Sequence, residues 1–329
     1  MSSQVIWWIV FAVIVLVLLV LDMRVFHRRA HVITIKESLL WTAFWIAIAL
    51  LFNLGIYLLR GHGPALEYLT CYLIEKSLSI DNLFVFLMIF SYFSVAPAYQ
   101  HKVLFWGIIG AIIMRLAFIE AGVTLLERVH WVFYIFGAFL VITAIRMALQ
   151  RGRGLKPERN PVLRIFRRFF PITDDYEGDK FFIRRAGRFI ATPLFIVVLV
   201  VESTDVIFAL DSIPAALAIT LDPFIVYTSN IFAILGLRSL YFALAGIMGL
   251  FYYLRHGLVV VLIFVGVKML IADFYQIPTG IALGVVGGVL LIAILTSIAW
   301  PRKVEGIPLP PVPAGKKTEL GQAPQKDKE

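Results

Sequence analysis

Residues 79–85, Ser-Ile-Asp-Asn-Leu-Phe-Val, and residues 203–209, Ser-Thr-Asp-Val-Ile-Phe-Ala, carry one pattern, SxDx(L/I)F followed by a small aliphatic residue, and each sits inside a long apolar run. Two further correspondences keep step with it. Arg115 lies 34 residues after Asp81 and Arg238 lies 33 after Asp205. Arg146-Met147 then lies 31 residues beyond Arg115, and Lys268-Met269 lies 30 beyond Arg238. Three matches at nearly equal spacing point to a duplicated unit, with copies at 66–149 and 189–274. Each copy holds three apolar spans, an odd number, so the second is expected to sit inverted in a membrane relative to the first.

The chain around these copies is equally oily. It has 329 residues, 60% hydrophobic and 16% charged, with a mean hydropathy of +0.90, outside the range of water-soluble domains. Apolar stretches close to the roughly 20 residues that cross a bilayer recur throughout. They predict spans at 5–21, 39–59, 66–93, 103–125, 131–149, 189–219, 224–254, 258–274 and 277–300. The expected fold is all-α, a polytopic membrane protein of about nine transmembrane helices containing two inverted three-helix repeats. Residues 1–65 supply two helices ahead of the repeats, 150–188 form a basic loop between them, and 275–300 supply a last span. Residues 301–329, rich in Pro, Gly, Lys and Gln, read as a disordered tail. The first span is kept as a helix rather than a cleaved signal, because no basic residue precedes it and it runs into Asp22-Met23-Arg24 without a small-residue cleavage site.

The formal charge of +9 is distributed by loop and does not form a nucleic-acid surface, so no nucleic-acid partner is expected. Lys and Arg crowd the first loop, the central loop and the tail, whereas the alternate loops offer Arg60 and Arg128. By the positive-inside rule the amino terminus is outside and the carboxyl terminus cytoplasmic. The segment Asn160 to Pro171 interleaves arginines with apolar residues; it suits either a short stretch lying on anionic lipids of the cytoplasmic leaflet or an ordinary basic connector. Oligomeric state is not legible in these patterns.

Charges inside spans carry the functional signal, since each is costly at the bilayer centre unless paired or hydrated. The third span holds Glu75, Lys76 and Asp81 beside Ser77, Ser79 and Asn82. The sixth holds Glu202, Asp205 and Asp211 beside Ser203, Thr204 and Ser212. Five carboxylates with hydroxyl and amide oxygens make a hard-ligand set suited to Mn, Mg or Ca, whereas Zn, Cu or Ni sites draw on His or Cys. The six histidines fall in loops or at span ends, and Cys71 is the single cysteine, which excludes dithiol chemistry within one chain. Several carboxylates also favour a divalent over a monovalent cation. The metal ligands expected are Glu75, Asp81, Glu202, Asp205 and Asp211, supported by Ser79, Asn82, Thr204 and Ser212, with Arg115 and Arg238 as counter-ions to the acids. Glu120 reads as a second partner for Arg115, and Arg146 and Lys268 as residues that snorkel at span ends.

Helix geometry limits how many of these acids meet one ion. At about 100° per residue, Glu202 and Asp205 are about 60° apart, but Asp211 falls about 180° from Glu202. Asp211 therefore acts elsewhere unless Pro214 breaks the helix nearby. Glu75 and Asp81 are likewise about 120° apart in a straight helix. No nucleotide-binding motif occurs, so no enzyme, no bound cofactor and no ATP-driven step is expected.

Glu75-Lys-Ser-Leu-Ser-Ile-Asp81-Asn-Leu-Phe-Val-Phe86, Glu202-Ser-Thr-Asp-Val-Ile-Phe-Ala-Leu-Asp211-Ser-Ile-Pro-Ala215 and Asn230-Ile-Phe-Ala-Ile-Leu-Gly-Leu-Arg238 resemble the TerC family, and in length and layout its Alx-like manganese exporters within the LysE-type transporter grouping. The resemblance covers nearly the whole chain except the tail. It implies a bacterial inner-membrane protein of Mn(II) efflux, with the five acids standing where the family has them and Mn(II) as transported substrate. The family's older labels, tellurium resistance and membrane redox modulator, find no residue here to carry them. Two readings follow: a secondary exporter of a divalent cation, with proton exchange as one coupling open to it, or a non-transporting membrane partner in metal homeostasis or delivery to secreted proteins.

Overall fold

A computed structural model describes residues 3–27, 35–129, 131–149, 171–173, 175–185, 188–246 and 253–300. The expected disordered tail, most of the central loop and the Asn160 to Pro171 segment, apart from Pro171, lie outside the described residues. Among the described residues ten helices run in chain order: α1 (Ser3–His27), α2 (Ile35–Arg60), α3 (His62–Tyr92), α4 (Pro97–Arg128), α5 (Val132–Leu149), α6 (Pro193–Leu217), α7 (Pro223–Leu235), α8 (Leu237–Gly246), α9 (Leu254–Leu270) and α10 (Thr279–Ala299). Seven spans among the described residues are long and apolar enough to cross a membrane, α7 and α8 together making one of them, and α9 is a shorter apolar helix. With α3, whose 31 residues carry Glu67, Glu75, Lys76 and Asp81, the described residues make the nine passes that the sequence predicts.

Two details depart from expectation. The sixth span starts at Pro193, not Phe189, because Arg188–Ala191 pairs antiparallel with Phe182–Arg185 as a β-hairpin, β2 on β1. The helix interruption falls at Gly236, not around Asp211 to Pro214. Pro214 lies inside α6, one turn from its carboxyl end, where it withholds one N–H from the Leu210 carbonyl without ending the helix. At Gly236 the ammonium of Lys76 and the ring of Trp45 press on the backbone; a Cβ there would lie 2.9 Å from Lys76 Nζ and 3.0 Å from Trp45 Cβ. Lys76 Nζ donates to the Ala233 carbonyl at 3.1 Å. The orphan carbonyls and negative dipole end of the half-helix α7 thus receive a cation from the neighbouring helix, and Lys76 serves this break, not the acids.

Contacts near helix ends follow an alternating path. Arg60, ending α2, pairs with Asp222, opening α7, at 2.7 Å. Lys268 Nζ, near the end of α9, donates to Ala218 O, the cap of α6, at 2.8 Å, and Tyr134, opening α5, donates to Asp273 just past α9. Lys102, opening α4, pairs with Asp179 of the central loop at 3.0 Å, and Tyr176 of that loop donates to Phe93 O at the end of α3 at 2.7 Å. The first three join ends that nine alternating passes put on one face; the last two join ends on the other. Between Arg60 and His62, Gly61 turns the chain at φ +94°, a conformation that favours glycine.

The core is built by packing between the two units. α3 packs on α7 and α6, α4 packs on α6, and α5 packs along α9. Small residues permit this last approach: a Cβ at Gly137 would lie 2.9 Å from Gly266 O, and one at Gly266 would lie 2.8 Å from Gly137 O, the backbone proximity typical of membrane helix pairs. On one flank α1 seats Trp8 and Phe11 against Phe224 and Tyr227, with ring centroids 5.3–6.1 Å apart.

Candidate functional site

Arg115, halfway along α4, is fully buried and gathers side chains from three other helices. Its Nε and Nη2 reach Asp205 of α6, to Oδ2 at 3.4 Å and Oδ1 at 3.2 Å. Its Nη1 donates to Glu75 Oε1 of α3, to Asn230 Oδ1 of α7 at 2.7 Å, and to Ser212 Oγ of α6 at 3.4 Å. Asn230 Nδ2 in turn donates to Glu75 Oε2 at 3.0 Å. Such a network is what a buried charge needs: paired carboxylates plus neutral groups for the remaining donors and lone pairs. A guanidinium fork spans two acids from different helices as an ammonium cannot.

The predicted residues divide into those the fold joins here and those it sends elsewhere. Glu75, Asp205, Arg115 and Ser212 meet. Glu202 lies one turn from Asp205 on α6, within its electrostatic influence, half-buried and pressed against Gly110 of α4, where any Cβ would overlap its carboxylate. Asp211 turns to Thr143 of α5, the separate role that its half-turn offset from Glu202 implies. The hydroxyl of Thr204 is spent on Val201 O of its own helix at 2.7 Å. Ser79 and Asn82 are buried on α3. Asp81 belongs to α3, but its side chain lies outside the described residues.

Arg238 corrects the symmetry argument. Instead of joining the repeat acids, it pairs with Asp22 of α1, Nη2 to Oδ2 at 2.7 Å and to the Asp22 carbonyl at 2.6 Å. The first unit's arginine thus binds acids of the paired units, while its counterpart is claimed by a helix outside them. Glu120 is exposed on α4 and is no partner of Arg115: five residues further on, it falls on another face. Lys268 caps α6 instead of snorkelling. Asn230 is the site residue that the acid pattern does not single out; its signal was an amide that follows Thr228 and Ser229 inside a membrane span. Among the described residues, no group of three or more His, Cys, Asp or Glu side chains is arranged to hold a metal ion, and Cys71 is buried with its Sγ 3.7 Å from Ala216 O.

Residues 60–305 match the integral membrane protein TerC family. A Myxococcus xanthus protein, named only as uncharacterized membrane protein STKORF319, is 50% identical over 295 residues, covering 90% of this chain and 92% of that one. Two proteins provisionally named membrane-bound redox modulator Alx are similar. The Salmonella typhi protein is 48% identical over 297 residues, covering 88% of this chain and 92% of its own. The Escherichia coli (strain K12) protein is 47% identical over 302 residues, covering 89% and 94%. No solved structure matches the chain. A match over most of the length, with these relatives spanning nearly all of it, settles the family: the chain belongs to the TerC family of integral membrane proteins.

Proposed function

We propose that this protein is a secondary transporter that exports a divalent metal cation, Mn(II) foremost, by alternating access through the Glu75, Asp205 and Glu202 centre. The observation that carries the reading is a charge imbalance in the bundle interior. One guanidinium, Arg115, is shared by Glu75 and Asp205, and Glu202 stands one turn from Asp205 against Gly110, so the buried carboxylates outnumber the cation that pairs with them. Excess negative charge in a low-dielectric interior calls for a mobile cation or for protons. Oxygen-only donors suit a hard divalent ion, and Asp81 and Asp211 would serve its entry or release.

The packing supports the inverted-repeat reading. In repeat order, the first helix of each unit meets the second of the other, α3 on α7 and α4 on α6, while the third helices, α5 and α9, meet each other. That reciprocity is what a twofold axis in the membrane plane generates, with substrate near the midplane. The broken α7–α8 span with its Lys76 cap is a further feature of transporter interiors. Resident dithiol redox chemistry has little support, because the one cysteine is buried in packing.

We place the protein in the bacterial inner membrane with its tail cytoplasmic, following the loop charges. Mn(II) flux across sealed proteoliposomes tests the function, with Mg(II) and Ca(II) as competitors. Saturable Mn(II) movement that needs Asp205 and Glu202 is expected; no flux above protein-free vesicles refutes it.

A further inference from the structure

Glu75 belongs to a polar line along α3. Tyr68, Tyr72, Glu75, Ser79 and Asn82 recur at intervals of four, three, four and three residues, which keeps them within about 40° of one line at about 100° per residue. The line covers about 21 Å of helix at about 1.5 Å per residue. All five residues are buried, Tyr68 and Ser79 at 0% exposure and Tyr72 at 3%. A core-facing helix stripe is ordinarily apolar. Here the Tyr68 and Tyr72 rings lie parallel with centroids 6.3 Å apart, and neither phenol hydroxyl meets a hydrogen-bond partner among the described residues; nor does the Ser79 hydroxyl.

A buried hydroxyl without a partner is unfavourable, and native interiors avoid it. Three of them on one line, leading to a carboxylate of the central site, call for a polar occupant. The two tyrosines lie between Glu75 and the end of α3 that adjoins the Arg60–Asp222 pair, on the face assigned to the outside. Phe52 and Phe232 cover Tyr68, with ring centroids at 5.6 and 6.4 Å.

We propose that the α3 line from Glu75 to Tyr68 is the outer half of the permeation path: a water-lined passage in which phenol and water oxygens take over the divalent cation as it leaves the carboxylates, closed at its mouth by Phe52 and Phe232. Neutral oxygens suit this step, since they hold a hard cation without the grip of a carboxylate. The passage rests on the transport function proposed above, and its test is arranged to separate the two.

Hydroxyl-radical labelling of the full chain in lipid nanodiscs reports which side chains adjoin water. Tyr241 is the internal reference, equally buried but with its hydroxyl bonded to Gln100 Oε1 at 3.0 Å. Tyr68 and Tyr72 should label several-fold faster than Tyr241; equal, slow labelling of all three overturns the passage. In proteoliposomes, the Tyr68→Phe/Tyr72→Phe variant should lower Mn(II) flux by about tenfold while equilibrium Mn(II) binding is retained, as expected for loss of interactions along the way and not at the site. Unchanged flux in that variant also overturns the passage. If the unsubstituted protein moves no metal yet both tyrosines label fast, the water path stands and the transport function falls.

Discussion

Arg115 and Asp205 face each other through two contacts, Nε to Oδ2 at 3.4 Å and Nη2 to Oδ1 at 3.2 Å, while Nη1 of the same guanidinium turns to Glu75. The arginine comes from α4, the second helix of the first unit, and the aspartate from α6, the first helix of the second. One side chain therefore ties the two units together and offsets part of their negative charge. In an alternating cycle such a tie must loosen whenever the units move apart, and a cation bound at Glu75 and Asp205 would compete for the same oxygens.

We predict that Arg115→Gln destabilises the protein by about 3–5 kcal/mol, the cost of leaving buried carboxylates without their partner. Arg115→Lys should recover only part, because an ammonium does not span both acids. Adding Asp205→Asn to Arg115→Gln should restore part of the stability, since it removes one of the two stranded charges and leaves Glu75. Thermal unfolding of the detergent-purified variants measures all three, and a fully stable Arg115→Gln would mean the network carries no structural load.

Asp205→Asn and Asp81→Asn are each predicted to lower Mn(II) efflux by at least about tenfold with the protein still inserted, since an amide is cheaper to bury than a carboxylate. In the Asp205 variant, Glu75 still compensates Arg115. Arg146→Gln, by contrast, should be mild: this exposed side chain lies in the last turn of α5. Flux at matched protein levels decides; normal transport by both Asn variants would move the site elsewhere.

Gly110→Ala tests Glu202. The added methyl would overlap the Glu202 carboxylate, which is the far end of a flexible side chain, so the bundle should keep its fold while the carboxylate is driven aside. The expected result is a near-normal melting temperature with flux reduced about tenfold, as for a misplaced ligand. Equal loss of stability and flux would make Gly110 a packing residue only.

Much of this was written in the sequence, and the gaps have physical causes. Spans follow from hydropathy, so nine passes were countable, and the acids stood out because charges in lipid are rare. Which acids meet was only partly legible: the angular offsets separated Asp211 from Glu202 and Asp205, but could not choose between Arg115 and Arg238 as their partner. Equivalent places in a repeat do not ensure equivalent surroundings, and α1, which lies outside the repeat, captured Arg238 through Asp22. The break at Gly236 was not legible, because Pro214 offered the louder signal and left its helix whole, whereas Gly236 is demanded by Lys76 and Trp45 arriving from other helices. Asn230 opened one of the quoted motifs but was given no role, because an amide becomes a site residue only through the neighbours the fold gives it.

The Lys102–Asp179 pair predicts a mild acid sensitivity at the central loop. The hydrogen bond and charge of Lys102 hold the Asp179 carboxyl below its ordinary value, and Lys102 Nζ also lies 4.8 Å from the Phe181 ring centre. A depressed folded-state value means that the contribution is complete above the unfolded value, about 3.9, and fades as pH falls through the folded one. Asp179→Asn should thus lower stability slightly at neutral pH and converge with the parent once pH falls below the depressed folded value, the effect being small because the pair is exposed. Melting temperatures of the two proteins across this range give the comparison; a constant difference down to low pH would contradict it.

The last prediction concerns sidedness. The Arg60–Asp222 pair and the Lys102–Asp179 pair mark opposite ends of the bundle, and the positive-inside rule assigns the first to the outside. Gly63 begins α3 beside the first pair with open space around its backbone, so a cysteine is tolerated there; Gly152 stands in the basic central loop. In a Cys71→Ser background, Gly63→Cys should react with an impermeant maleimide added to intact cells, whereas Gly152→Cys should react only after the membrane is opened. The reverse pattern would invert the whole assignment and turn the proposed outer passage of α3 toward the cytoplasm. Labelling of both sites from outside would mean an even number of passes between them, and the two three-helix units would then be parallel and not inverted.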